Sequence, residues 1–173
     1  MEEKGFLECL ATEIRRKIEL VIKNGIIECT NDILISHFFD FPKGCCGDAS
    51  ELLGQFLLSK GVNTWYVSGV YYSDCDDDEM RMNMMQSHAW LSTKSPYSGN
   101  YLIIDITADQ FSDREEFGCY SKSVYVGEID DFHRLFTVDN AFEFKGLENT
   151  GVPIQVSLCR LYSLITQTSD YNE

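Results

Sequence analysis

Apolar residues recur at helical spacing in two stretches of the first sixty residues. The first stretch predicts an amphipathic helix that ends before Asn24-Gly25, since its apolar residues share one face: Phe6, Leu7, Leu10, Ile14, Ile18, Val21 and Ile22. The second stretch begins near Cys46 and ends at Gly61, with Leu52, Leu53, Phe56 and Leu57 at helical spacing. The apolar segment between them, residues 26–41, is too irregular to assign. We therefore expect two helices before residue 61.

β-Branched and aromatic residues dominate the segments that follow. Strands are predicted at 64–72, 87–92 and 101–106, with a further short strand at 123–126. The connection 93–100 is rich in Ser, Pro, Gly and Asn, which favours an antiparallel hairpin. A short helix is expected around 130–136, and the alternation at 153–165 predicts a last strand or strand pair. No repeat or linker divides the chain, so these elements predict a single α+β domain over residues 1–173.

The acidic composition restricts the partners of this domain. The chain has 173 residues, 44% of them apolar, and a formal net charge of -14. This charge argues against nucleic acid and against anionic membranes, because both would require basic residues. A basic substrate or partner would suit the charge, but an acidic surface that only keeps the chain in solution is the more common reason for it. No basic leader followed by an apolar core begins the chain and no apolar run reaches membrane-spanning length, so a cytoplasmic location is expected, with export by a route that uses no such signal as the open alternative. The oligomeric state stays open.

The spacing of the cysteines indicates neither a metal site nor a disulfide framework. The seven cysteines show no paired CxxC spacing, which makes a zinc site or a disulfide scaffold unexpected. The acidic run at 73–79 lacks the pattern of a calcium-binding loop, so we expect no metal there either. Asp130, Asp131 and His133 are expected on a charged surface helix and not as ligands.

Candidate chemistry centres on Cys46. Pro42 and Gly44 interrupt any preceding helix, which places Cys46 at or near a helix start. Free backbone N–H groups and the positive end of the helix dipole favour a thiolate there, and the same groups can hold an oxyanion. The alternative is that Cys45 and Cys46 are small packing residues.

His88 and Asp105 supply the remaining members of a possible triad. His88 lies about five residues before the 93–100 connection and Asp105 about five residues after it. An antiparallel hairpin would therefore bring them close, with adjacent cross-strand side chains about 5 Å apart. Cys, His and Asp in this order offer a nucleophile, a base and a residue that orients the base.

These motifs together resemble the transglutaminase-like branch of the papain fold. The resemblance covers roughly 42–111 and is carried by Gly44-Cys45-Cys46, Asp48, Gly61, Tyr66-Val67-Ser68-Gly69, His88-Ala89-Trp90 and Asp105-Ile106-Thr107. It implies a papain-like, transglutaminase-core fold with the nucleophile at a helix N-terminus packed on an antiparallel sheet. It also implies Cys46 as nucleophile, His88 as general base and acid, and Asp105 as the residue that fixes the imidazole tautomer, without any cofactor.

The resemblance predicts a thiol-dependent amide hydrolase that acts on a peptide or protein: a cysteine peptidase or a protein deamidase. Two alternatives remain, namely acyl transfer to an amine and an inactive module that binds or inhibits a partner. Arylamine acetyltransferases share the residue order, but the Arg-Gly-Gly turn before their cysteine is absent. The backbone N–H of Cys46 is one expected oxyanion donor; Asn31, His37 and nearby aromatic residues are open candidates for the second.

Three features depart from the family pattern: the second cysteine, the segment 73–86 and the chain after Phe111, which is also expected to influence the substrate. Cys45 beside Cys46 offers a route to a vicinal disulfide that would inactivate the site, although a coincidental neighbour is at least as good an interpretation. The acidic and methionine-rich segment 73–86 is interpreted as a mobile loop near the mouth of the site, and it is expected to influence the substrate.

Overall fold

The computed structural model describes residues 3–27, 32–73, 85–147 and 153–167. The main helices are α1 (Glu3–Lys23), α2 (Cys46–Ser59) and α3 (Pro153–Gln167). The strands are β1 (Trp65–Tyr71), β2 (Gln86–Lys94), β3 (Tyr101–Asp105), β4 (Tyr125–Gly127) and β5 (Thr137–Glu143). Short 3-10 helices occupy Ile33–Asp40, Ala108–Phe111, Glu115–Phe117 and His133–Leu135. The chain is therefore α+β, as predicted.

The five strands form one antiparallel sheet in the order β4-β3-β2-β1-β5. The strands predicted at 64–72, 87–92, 101–106 and 123–126 are confirmed within a few residues, and β2 and β3 form the predicted antiparallel hairpin. Strand β5 was not predicted. All seven of its residues are exposed, so it carries no apolar alternation, and it is held by backbone pairing with β1.

Each face of the sheet contributes to a different hydrophobic core. The larger core lies between the sheet and the helices, where Leu91 and Ile104 pack with α1, α2 and α3. Neighbouring side chains along a strand point to opposite faces, so Trp90 and Ile103 enter a second core. We call this second core the aromatic cluster; its buried members are Trp90, Ile103, Ala108, Phe111, Phe117, Phe132 and Phe136.

Both predicted helices are confirmed, and their ends have clear causes. The buried residues of α1 follow helical spacing: Leu7, Leu10, Ala11, Ile14, Arg15, Ile18 and Val21. At the end of α2, Gly61 adopts a φ of 79°, and its N–H donates to the carbonyl of Leu58 while the N–H of Val62 donates to that of Leu57. These bonds form the glycine-dependent Schellman motif, and they satisfy carbonyls that the helix itself leaves unpaired.

Two predictions about the later chain are wrong. The segment expected as a strand or strand pair at 153–165 is helix α3, whose buried residues Leu158, Leu161 and Ile165 follow helical spacing and pack on the larger core. The segment at 130–136 contains only a single 3-10 turn, and His133 in it is 1% exposed, so the segment is not a surface helix.

Residues 74–84 of the loop expected at 73–86 lie outside the described residues. None of the helices in the described ranges is both long and apolar enough to cross a membrane.

Candidate functional site

The fold brings Cys46, His88 and Asp105 together. Cys46 is the first residue of α2, His88 lies in β2, and Asp105 is the last residue of β3. Helix α2 is fixed against β2 where the hydroxyl of Ser50 donates to the carbonyl of Ala89 over 3.2 Å. In the β2–β3 register Leu91 lies opposite Ile104, so Asp105 is diagonal to His88. The proximity of all three residues that sequence reasoning selected is therefore observed.

His88 is fully buried and bonded through both ring nitrogens. Its Nε2 lies 2.7 Å from Oδ2 of Asp105, and its Nδ1 lies 3.0 Å from Nε2 of Gln110. An ionised carboxylate can only accept hydrogen bonds, so we assign a hydrogen to His88 Nε2. Nδ1 is then the nitrogen available to exchange a proton with Cys46.

The thiol of Cys46 is electrostatically activated. Burial by itself raises the pKa of this thiol, but the hydrogen bond and charge of His88, with a hydrogen bond from the backbone of Ala89, lower the pKa below its ordinary value. Burial also works against a charged His88, yet the negative charge of Asp105 and its hydrogen bond, with that of Cys46, raise the pKa of His88. Both shifts favour a thiolate beside an imidazolium.

Asp105 is held in its ionised form. Burial alone would raise its pKa, but His88 and a second histidine, His133, bind the carboxylate and hold the pKa well below its usual range. Its other oxygen, Oδ1, accepts the backbone N–H of Thr107 at 2.8 Å and the hydroxyl of Thr107 at 3.2 Å. The orientation of Asp105 is therefore fixed from several sides.

Gln110 is a site residue that sequence reasoning did not select. Its Oε1 accepts the backbone N–H of Gly44 at 3.3 Å, which directs its Nε2 towards Nδ1 of His88. The side chain thus connects the turn before Cys46 to the base. A Gln shortly after the Asp105 strand is all that the sequence offers, because neither its burial nor its contact with His88 is visible there.

His133 is a second missed residue. Its Nε2 lies 3.1 Å from Oδ2 of Asp105, and its Nδ1 lies 2.6 Å from Oδ1 of Asp130. Oδ2 of Asp130 in turn accepts the hydroxyl hydrogen of Tyr120 at 2.8 Å. A hydrogen-bonded chain therefore extends from His88 through Asp105 and His133 to Asp130.

The atoms of His88, Asp105 and His133 that are suited to metal binding lie within 4.8 Å of one another. However, the two ring nitrogens lie 2.7 Å and 3.1 Å from the same carboxylate oxygen, which are hydrogen-bond distances. A tetrahedral zinc ion would hold its donor atoms roughly 3.3 Å apart. We therefore interpret this group as hydrogen-bonded and assign no metal to it.

Cys45 has a different environment from Cys46. Its thiol donates to the carbonyls of His37 and Lys43 at 3.3 Å each, and burial raises its pKa to about 12, with smaller effects from nearby Asp48, Cys46 and Asp40. Both Cys45 and Cys46 are free thiols. Cys45 is therefore a packed free thiol, and its raised pKa favours the protonated form.

The structure does not place His37, one of the named candidates, as the second oxyanion donor. Nε2 of His37 lies 2.7 Å from a carboxylate oxygen of Asp48 and is paired there. Asn31 lies outside the described residues. The first turn of α2 does offer donors. The first hydrogen bond of the helix runs from the N–H of Ala49 to the carbonyl of Cys45, so the N–H groups before Ala49 have no partner within the helix, and the side chain of Cys45 does not cap them.

A buried arginine on α1 holds the loop that carries Gln110. The guanidinium of Arg15 donates to both carboxylate oxygens of Asp109 at 2.8 Å, and to the carbonyls of Ile106 at 2.6 Å and Ser123 at 2.7 Å. It also bonds Glu19 on its own helix. The loop after β3 is therefore anchored to the helical layer next to the site.

Comparison of the chain with protein-family models, with curated proteins and with solved structures finds no match. The geometry above is therefore the basis for the functional conclusion.

Proposed function

We propose that this protein is a thiol-dependent amide hydrolase of the papain-like, transglutaminase-core type, a cysteine peptidase or a protein deamidase. The observation that supports this most is the position of His88, which lies 2.7 Å from Asp105 and whose hydrogen bond and charge, acting against burial, lower the pKa of the Cys46 thiol. A nucleophile, a base and an orienting carboxylate in contact are the components of acyl transfer by a thiol.

In the proposed reaction the Cys46 thiolate attacks the carbonyl carbon of an amide. The carbonyl π electrons move to the oxygen, which becomes an oxyanion, and the tetrahedral intermediate then expels the amine as Nδ1 of His88 donates its proton. Water next attacks the thioester while His88 Nδ1 accepts a proton from it, and the acid leaves with Cys46 again a thiolate. Asp105 keeps Nε2 of His88 protonated throughout, so that Nδ1 alone gains and loses the proton.

Two groups are proposed to bind the oxyanion. The first is the backbone N–H of Cys46, at the start of α2. The second is Nε2 of Gln110, which donates to His88 Nδ1 only while that nitrogen is unprotonated. When His88 holds the proton, this bond is lost and the amide N–H becomes available to the oxyanion.

The substrate we propose is a peptide or protein amide with basic residues nearby. Tyr66 lies close to the nucleophile, since a Cβ on Gly47 would be 3.2 Å from its hydroxyl oxygen. Burial raises the pKa of Tyr66, and so do the negative charges of Cys46, Glu51, Asp48 and Asp139 around it. Carboxylates at this position would favour a cationic substrate over an anionic one.

The test is the pH dependence of iodoacetamide labelling, with each modified cysteine located by mass spectrometry. Cys46 should be labelled selectively near neutral pH, and His88→Ala should move the apparent pKa of Cys46 back towards about 8.5. Cys45 is the internal control, because its pKa of about 12 predicts no labelling there. Labelling of several cysteines only above pH 8, with no effect of His88, would refute the proposal and leave a binding module.

Peptide libraries and protein amides, each with and without added amines, would follow a positive labelling result. Release of a carboxylic acid supports hydrolysis. A product that incorporates the amine would replace hydrolysis by the acyl-transfer alternative while leaving the three roles unchanged.

A further inference from the structure

His133 binds the same carboxylate oxygen of Asp105 as His88 does, and the proposed reaction gives it no step. We propose that His133 is a positioning residue that acts as a fixed cation between Asp105 and Asp130, and so limits how strongly Asp105 stabilises protonated His88. Its catalytic meaning rests on the proposed function, but its charge and its effect on His88 do not.

The contacts of His133 leave its ring little freedom. The residue is 1% exposed, and each ring nitrogen faces a carboxylate oxygen, Asp105 Oδ2 at 3.1 Å and Asp130 Oδ1 at 2.6 Å. The backbone N–H of His133 also donates to Oδ1 of Asp130, at 3.0 Å. Asp130 is therefore bound to both the backbone and the ring of the same residue.

The two carboxylates determine the protonation of this ring. An ionised carboxylate accepts hydrogen bonds and donates none, so a ring with a carboxylate at each nitrogen must carry a hydrogen on both. Burial opposes the resulting charge, but the hydrogen bonds to Asp105 and Asp130 raise the pKa of His133. Hydrogen bonds from His133, acting against burial, also lower the pKa of Asp130 to about 2. Each partner thus favours the charged form of the other.

Within the described part of the chain, the other groups that face His133 do not supply a competing charge. Tyr125 of β4 lies with its ring centroid 5.1 Å away, Trp90 of β2 at 5.3 Å, and Tyr120 at 6.3 Å. Burial raises the pKa of both tyrosines, so they are neutral phenols. The charged groups packed around His133 are therefore Asp105 of β3, Asp130 of its own loop and protonated His88 of β2.

Both histidines bind the same oxygen of Asp105, and this has a consequence for His88. The ring centroids of His88 and His133 are 6.2 Å apart. With an effective dielectric constant of about 20, a unit charge at that distance changes a pKa by roughly two units. Without the charge of His133, Asp105 would stabilise the imidazolium of His88 alone, and His88 would release its proton to a leaving amine less readily.

Histidine NMR gives a direct test, because the chain has only three histidines. We would titrate the imidazole signals of His88 and His133 in the Cys46→Ala protein, where no reaction and no thiolate interfere, and compare His133→Gln and Asp130→Asn in that background. His133→Gln keeps a donor for Asp105 but removes the charge. Asp130→Asn keeps an acceptor for His133 but removes the negative charge that favours a second proton on its ring.

The expected result is an upward shift of at least about one unit in the pKa of His88 in both variants. The shift in the double variant should be no larger than the shift in either single variant. Asp131→Asn is the matched control, because the Asp131 side chain is fully exposed and pairs with Arg134 at 2.8 Å, so it should leave His88 unchanged. If His133→Gln does not fold, Asp130→Asn carries the same test.

Two results would overturn the inference: an unchanged or lowered pKa of His88 in natively folded variants, or a His133 in the Cys46→Ala protein that titrates near the ordinary 6.5. Neither depends on catalysis. If Cys46 fails the labelling test while His88 shifts as expected, the proposed function fails and the assignment of His133 stands.

Discussion

Replacement of Arg15 by methionine is expected to destabilise the fold more than its position on a surface helix suggests. The guanidinium side chain is 9% exposed and binds Asp109, whose side chain is 19% exposed, together with two backbone carbonyls. Methionine preserves much of the aliphatic contact but leaves the carboxylate and the carbonyls without their donor. Breaking a buried ion pair from one side costs about 3–5 kcal/mol, and partial access of water to Asp109 reduces this to about 2–4 kcal/mol.

Urea unfolding at neutral pH measures this loss. Lys43→Met is the matched control, since Lys43 and Asp113 also pair at 2.7 Å but are 61% and 58% exposed, and exposed pairs contribute little. Arg15→Met should therefore unfold at a clearly lower urea concentration than either the wild type or Lys43→Met. Equal midpoints for the two variants would refute the reasoning that burial of the Arg15 network stabilises the loop after β3.

Three further predictions concern the site. Gln110→Ala should reduce turnover of an identified amide substrate by about 10²–10³-fold, because an oxyanion donor acts only as the tetrahedral intermediate forms. The same variant should barely change the rate of iodoacetamide labelling, since that reaction forms no oxyanion. Equal losses in the two assays would contradict the role of Gln110 as an oxyanion donor. In the Cys46→Ala protein, which removes the titration of the reactive thiol, the stability should fall as the pH rises above about 6.5. The pKa values of His88 and His133 are raised in the folded state, so the stability that their protonation contributes is complete below about 6.5 and is lost as the pH passes the folded pKa values. On the acidic side the stability should fall below about 3.9, because Asp105 then takes up a proton in the unfolded chain while the folded state, in which its pKa is lowered, holds it ionised. Asp105→Asn in the same background should flatten both limbs in urea unfolding from pH 3 to 10, and a Cys46→Ala protein without these limbs would contradict the assigned shifts. Cys45→Ser should leave the rate of Cys46 labelling at neutral pH within about twofold of wild type, since the Cys45 thiol stays protonated there. A large loss of labelling would show that Cys45 affects the reactivity of the Cys46 thiol.

Local periodicity was sufficient for α1, α2, the strands β1 to β4 and the hairpin that carries His88 and Asp105. A helix or a strand that buries one face must repeat its apolar residues at 3.6 or 2 positions, and a turn between two strands fixes their register. The same reasoning failed for α3, where the apolar repeat of 153–165 suited either type of element. It also failed for β5, because an exposed strand held by backbone bonds to β1 leaves no apolar pattern.

The sequence by itself determined which residue types meet near Cys46: a cysteine at a helix start, and a histidine and an aspartate on paired strands. The tertiary structure alone decided that Gln110, His133 and Arg15 belong to the surroundings of that site. Arg15 and Asp109 are 94 residues apart, and His133 is 28 residues from Asp105. A polar side chain is buried only where distant segments supply its hydrogen-bond partners, and that supply depends on how the segments pack.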